Sequence, residues 1–247
     1  VATPLALHGV IIKKDGTKVN INIGEKDEDP VFVITDLLAH LSREQMDKTA
    51  RTVVEGENLD LLIANKPLKG EEKDAVKANV LKLLKDTYDI EEEDFLSAEL
   101  EIVPAGKARE CGIDKSMIMA YGQDDRVCAF TSLLAMLEDK PVKRTSCCIL
   151  VDKEEIGSVG ATGMHGKFFE NSLAELMDRM GQYSELKLRR ALENSKMLSS
   201  DVSAAYDPLY GSAYEKKNSA YFSKGLVFNK FTGSGGKGGS NDANAEY

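Results

Sequence analysis

Cys147-Cys148-Ile149-Leu150-Val151-Asp152-Lys153-Glu154-Glu155-Ile156-Gly157-Ser158 decides how this chain is read. It opens as a short apolar run with β-branched Ile149 and Val151, the pattern of a strand buried on both faces. It ends in two adjacent carboxylates and a Gly/Ser turn. In open α/β sheets, ligands bind just beyond the carboxyl ends of the strands. A Glu-Glu pair there can turn one side chain to a cation and the other to a water beside it. Taken alone the pair is weak evidence, because adjacent glutamates are usually just solvated at a strand exit.

The neighbouring segments repeat the pattern. Ser116 to Tyr121 reads as a strand leading to Gly122-Gln123-Asp124-Asp125-Arg126, followed by a helix with Val127, Phe130, Leu134 and Leu137 on one face. After the Glu-Glu strand come helices over 171–180 and 184–194. Met197-Leu198-Ser199-Ser200-Asp201 then reads as a third strand ending in a carboxylate. Strand, helix, strand, helix, strand is the order of an α/β domain with a largely parallel sheet flanked by helices. In such a sheet Asp124, Glu154, Glu155 and Asp201 meet at one edge. Carboxylates gathered in one place repel one another and call for a counter-charge. A divalent cation, or two, provides it, and a pair completed by histidines can clamp a water and a substrate oxygen together. A cation lowers the pKa of the water it holds to about 7, so a neighbouring glutamate that is not a ligand can take the proton.

The first part of the chain has another rhythm. Val10-Ile11-Ile12, a turn at Lys14-Asp15-Gly16 and the alternating Val19 to Ile23 predict a hairpin. Val31 to Ile34 reads as a strand, and Leu37 to Leu41 as a short helical or buried segment in which His40 has a structural place. Val76, Val80, Leu83 or Leu84, and Tyr88 recur at helical spacing. Glu91 to Asp94 reads as a solvated loop, and Phe95 to Val103 as an alternating strand ended by Pro104. A domain boundary is expected near residue 106, with residues 1–106 β-rich and 107–247 carrying the acidic strand ends.

Composition narrows the function. A net charge of −9 argues against nucleic acid as partner, because phosphate binding needs a basic surface. No apolar run reaches membrane-spanning length. Four cysteines, irregularly spaced, do not make a disulfide framework, which fits a reducing, cytoplasmic setting. The segment Gly233 to Ser240 lacks the G-x-x-x-x-G-K-[ST] spacing of a phosphate loop and reads as a plain glycine-rich loop. His8 and His165 read as structural or solvent-exposed.

Three stretches carry a resemblance: Gly122 to Arg126, Asp152 to Ser158, and Ser200-Asp201-Val202-Ser203-Ala204-Ala205-Tyr206-Asp207-Pro208. In order and spacing they resemble motifs of the aspartyl aminopeptidase/aminopeptidase I family of dinuclear zinc metallopeptidases, and the likeness spans nearly the whole chain. It implies a phosphorylase/hydrolase-like catalytic domain in 107–247 and an inserted, β-rich dimerisation domain in 1–106. It further implies that Asp124 bridges two metals, Glu155 binds one, Asp201 binds the other, and Glu154 is the general base. Leu38-Ala39-His40-Leu41 is similar to the segment that lends a histidine to a neighbouring subunit's site. The metals implied are zinc, with manganese or cobalt suiting the same ligands. Peptides with a free N-terminus are the implied substrates, and the implied assembly is a dodecamer built from dimers. The family's early His-x-Asp motif and its late histidine ligand have no counterpart among His8, His40 and His165, so the chain reads as the middle of a longer enzyme. Histidines of other members are replaced by Ala204 and Asp207, which leaves acidic and neutral N-terminal residues both open. Two other readings fit the residues: a related dinuclear amide hydrolase, and a non-catalytic scaffold that keeps the fold.

Overall fold

The computed structural model of the 247-residue chain describes residues 3–138 and 140–228. It divides into two compact units, Val1–Tyr121 and Gly122–Tyr247, a later division than the boundary expected near 106. The glycine-rich stretch from Gly233 lies outside the described residues.

In the first unit, β1 (Leu5–Ile12) and β2 (Lys18–Ile23) form the expected antiparallel hairpin, with Leu7 opposite Ile23 and Ile12 opposite Lys18. The turn is fixed by Gly16 N–H to the Lys13 carbonyl (2.8 Å) and Thr17 N–H to Asp15 Oδ1 (2.9 Å). β3 (Val33–Ile34) follows, then the one-turn helix α1 (Arg43–Met46), β4 (Leu61–Leu62) and α2 (Ala75–Tyr88). β3 and β4 pair with each other, antiparallel. β5 (Ala98–Pro104) joins the other edge of β1, giving a three-stranded sheet of order β2-β1-β5. β5 starts later than the sequence suggests. Residues Glu92–Ser97 wind instead into a 3-10 turn, closed by Glu91 N–H donating to the Asp94 carboxylate at 2.9 Å. β6 (Arg109–Cys111) and β7 (Met117–Met119) form a last antiparallel hairpin.

Period-two alternation puts Ile11 and Ile21 on the inner face of the sheet, where α2 supplies Leu84 and Tyr88. Leu83 stays exposed, which assigns the helical stripe to Leu84. Asp89 adopts a left-handed conformation (φ 54°) that ends the helix and turns Ile90, fully buried, into the same core. Gly9 is forced by its position. At φ +148° a Cβ there would sit 2.0 Å from the Glu99 carbonyl oxygen on β5.

Residues 37–41 are a turn with Leu37, Leu38 and Leu41 exposed, not a helical or buried segment. The apolar residues there have no helix or sheet face to turn inward, and only Ser42 beside them is buried.

The second unit carries the helices α3 (Gln123–Leu137), α4 (Phe168–Arg179) and α5 (Glu185–Glu193). α5 begins at Ser184, whose Oγ accepts the Lys187 N–H at 3.2 Å, and it buries Leu188. The chain is thus mixed α/β with small sheets. Two expected strands are not formed: 147–151 and 197–201 run without ladder partners among the described residues. A strand exists only by pairing with another, and here Leu150, Val151, Met197 and Leu198 remain exposed. Parallel pairing among the described residues is limited to the single bridge Ala205–Ala220.

Candidate metal centre

Gly122 caps α3 at φ +75°, and the next residues do not continue a regular helix. Asp124 (φ −86°, ψ 110°) and Asp125 (φ −115°, ψ 24°) are non-helical, so regular turns begin after them. Both carboxylates therefore stand at the N-terminal end of α3, where the helix dipole favours negative charge. Asp201 reaches the same place from the coil that follows α5, its Oδ1 accepting the Val202 N–H at 2.7 Å.

One carboxylate oxygen each from Asp124, Asp125 and Asp201 lies within 4.8 Å of the others. Asp124 and Asp201 are exposed and Asp125 is half-buried. Two unit charges 4 Å apart repel by about 1 kcal/mol in water and about 4 kcal/mol near a protein surface, which favours a cation between them. Among the described residues Asp125 Oδ1 is buried without a hydrogen-bond partner, an acceptor left for such an ion. Three carboxylates are a hard oxygen donor set, and with solvent they fit a divalent cation. Close by, burial pushes the Cys128 thiol pKa up, with the Asp125 carboxylate adding to the shift and Ser200 opposing it.

Asp124 and Asp201 are thus brought together, and Asp125, to which the sequence reading gave no role, joins them. Glu154 and Glu155 lie outside this group of three. They occupy a one-turn 3-10 helix, Glu154–Ile156, set between Lys153 (φ 65°) and Gly157 (φ 92°), and both are exposed. The Asp152 carboxyl is held below the usual carboxylate range, chiefly by the Lys153 backbone N–H. His40 sits on an exposed turn of the first unit. His8 lies on β1, 2.8 Å from Glu25, and His165 is exposed in the loop before α4.

Comparison with known proteins agrees on one family. The model described as aminopeptidase I zinc metalloprotease (M18) matches residues 1–245. The chain is 64% identical to the probable M18 family aminopeptidase 1 of Clostridium acetobutylicum, covering 100% of this chain and 53% of that protein. It superposes on the crystal structure of an M18 aminopeptidase from Thermotoga maritima with a TM-score of 0.90 at 46% identity, over 100% of this chain and 54% of the other. A structure of the Saccharomyces cerevisiae mApe1 dodecamer shares the fold at 20% identity and a TM-score of 0.56, over 88% of this chain and 48% of the other. The chain spans about half the length of the relatives it matches. With its family model covering almost every residue, the chain belongs to the M18 aminopeptidase I zinc metalloprotease family.

Proposed function

We propose that this chain is part of a metal-dependent aminopeptidase that removes the N-terminal residue of peptides at a site for two divalent ions. The observation that carries the reading is the convergence of Asp124, Asp125 and Asp201, whose carboxylate oxygens lie within 4.8 Å of one another in a member of a zinc metallopeptidase family. Bound there, paired zinc ions, or manganese or cobalt, supply Lewis acidity toward a carbonyl and toward water. Asp124 would bridge the pair, Glu155 would hold one ion and Asp201 the other. Glu154, not a ligand, would take the proton of the attacking water on its carboxylate and return it to the departing amine. Asp125, whose Oδ1 is buried without a hydrogen-bond partner among the described residues, would offer a further carboxylate oxygen to the same site.

The proposal extends to the assembly. Residues 1–106 would form the dimerisation domain, and His40, exposed on its turn, would serve a neighbouring subunit's site. A homo-oligomer of dimers, up to a dodecamer, agrees with the dodecameric fold neighbour. Four cysteines outside any disulfide agree with a cytoplasmic setting.

The test uses the full-length protein, a peptide with a free N-terminus and its N-acetylated twin. The wild type should cleave only the free peptide. Glu154→Gln should lose about 10²- to 10⁴-fold in kcat with its bound metal unchanged. Cleavage of the acetylated peptide at the same rate would exclude an aminopeptidase, and near-normal turnover by Glu154→Gln would remove Glu154 from its role.

A further inference from the structure

We propose that Thr162 is a positioning residue, and that its hydroxyl, clasped to Asp152, sets the turn that carries Glu154 and Glu155. The inference rests on the aminopeptidase reading above. Glu154 and Glu155 project from a loop that leaves and returns at one point. There Asp152 N–H donates to the Thr162 carbonyl at 3.1 Å, and Thr162 Oγ1 donates back to Asp152 Oδ2 at 3.3 Å. Inside the loop, Ser158 N–H reaches the Lys153 carbonyl (2.7 Å) and Gly157 N–H the Glu154 carbonyl (2.9 Å). His165 N–H closes on the Ser158 carbonyl at 3.1 Å.

Lys153 (φ 65°) and Ser158 (φ 59°), neither of them glycine, hold positive φ on either side of the two glutamates. Such conformations persist only where the surroundings over-determine them. The backbone bonds form part of that restraint. The Asp152–Thr162 pair adds a side-chain link across the base of the loop, and both residues are exposed, so water competes with it. Losing the hydroxyl therefore loosens the loop without opening a core. A general base acts only within hydrogen-bond reach of the proton it takes, and small displacements of a reacting group are costly in rate. The clasp is built to prevent them.

The experiment compares full-length wild type, Thr162→Val and Thr162→Ser by amide hydrogen exchange across residues 152–165. It adds bound-zinc content, and kcat and KM on aminoacyl p-nitroanilides with acidic and neutral residues. Val keeps the shape and removes the donor, and Ser restores the donor. Thr162→Val should exchange faster across 152–165 and lose about 10- to 100-fold in kcat, with KM within about twofold and zinc unchanged. Thr162→Ser should recover both exchange and kcat. Unchanged exchange in Thr162→Val overturns the clasp whatever the activity. Faster exchange with unchanged kcat, or no recovery in Thr162→Ser, overturns the positioning role. A wild type without peptidase activity but with the expected exchange pattern overturns the aminopeptidase reading, and the catalytic part of the role falls with it, while the clasp itself stands.

Discussion

At Asp89 two lysines far apart in sequence converge on one carboxylate. Lys13 lies 2.6 Å from one oxygen, and Lys85 lies 2.6 Å from the other. Their hydrogen bonds, Lys13 first, hold the Asp89 carboxyl at about 2, against an ordinary 3.8. A carboxyl depressed in the folded state adds stability that is present above its unfolded value and lost as pH falls through the folded one. Asp89→Asn keeps the left-handed conformation, which asparagine tolerates, and removes the charge. The stability gap between wild type and this variant should be full above about pH 5 and close as pH falls toward 2. Thermal melts across that range measure it, and a gap constant down to pH 2 would refute the assignment. The gap is small at every pH, because the pair is exposed. The Lys13 contact was not legible in the sequence, where Lys13 and Asp89 are 76 positions apart, whereas Lys85 precedes Asp89 by four positions. Asp124 and Asp201 were legible, since each ends an apolar run within a motif. Asp125 was not, because adjacency gives no clue to which of two carboxylates turns inward.

Among the elements, β1 is the one on which the first unit depends, with β2 on one edge and β5 on the other. Its weak point is Gly9, where a side chain would meet the Glu99 carbonyl at 2.0 Å. Gly9→Ala must push β5 away or bend β1, and the cost expected for such overpacking is about 3 kcal/mol or more. Gly16 also has positive φ (+86°) but has open space around it, so Gly16→Ala bears only the local backbone penalty of about 1–2 kcal/mol. Urea titrations of the two variants should separate them in that order, and equal midpoints would show that the close approach at Gly9 does not matter. The β1–β2 hairpin was legible because alternation and a Lys-Asp-Gly turn are local signals. The strand at β5 was legible except for its start, where the Glu91–Asp94 cap diverted three residues into a 3-10 turn. The expected strands at 147–151 and 197–201 have the right composition, but composition cannot supply a partner, and none pairs with them among the described residues. The Glu-Glu loop carries hydrogen bonds of its own, and its glutamates are not among the three carboxylates that converge.

The two units differ in how much core they own. Leu5, Ala6, Ile11, Ile21, Ile34, Ile90 and Val103 are buried in the first, whereas Leu188 is the buried large apolar side chain among the described residues of the second. In the second unit Val127, Phe130, Leu134 and Leu137 of α3 are exposed, as are Leu150, Val151, Met197 and Leu198. Folding has to offset about 1–2 kcal/mol of backbone entropy per residue. One buried leucine, worth about 1.5–3 kcal/mol, cannot do so for a unit of this length. The second unit is therefore expected to draw stability from apolar surface that covers α3 and the 147–151 segment. Expressed separately, residues 1–121 should melt in one cooperative transition. Residues 122–247 should bind a hydrophobic dye and show no cooperative transition. In the full-length protein, amides of α3 should be as protected from exchange as those of β1. A cooperative melt of 122–247 by itself would show that its few buried contacts suffice. Dye binding lost only in the full-length protein would show that the scaffold of the candidate metal centre is completed by other parts of the polypeptide.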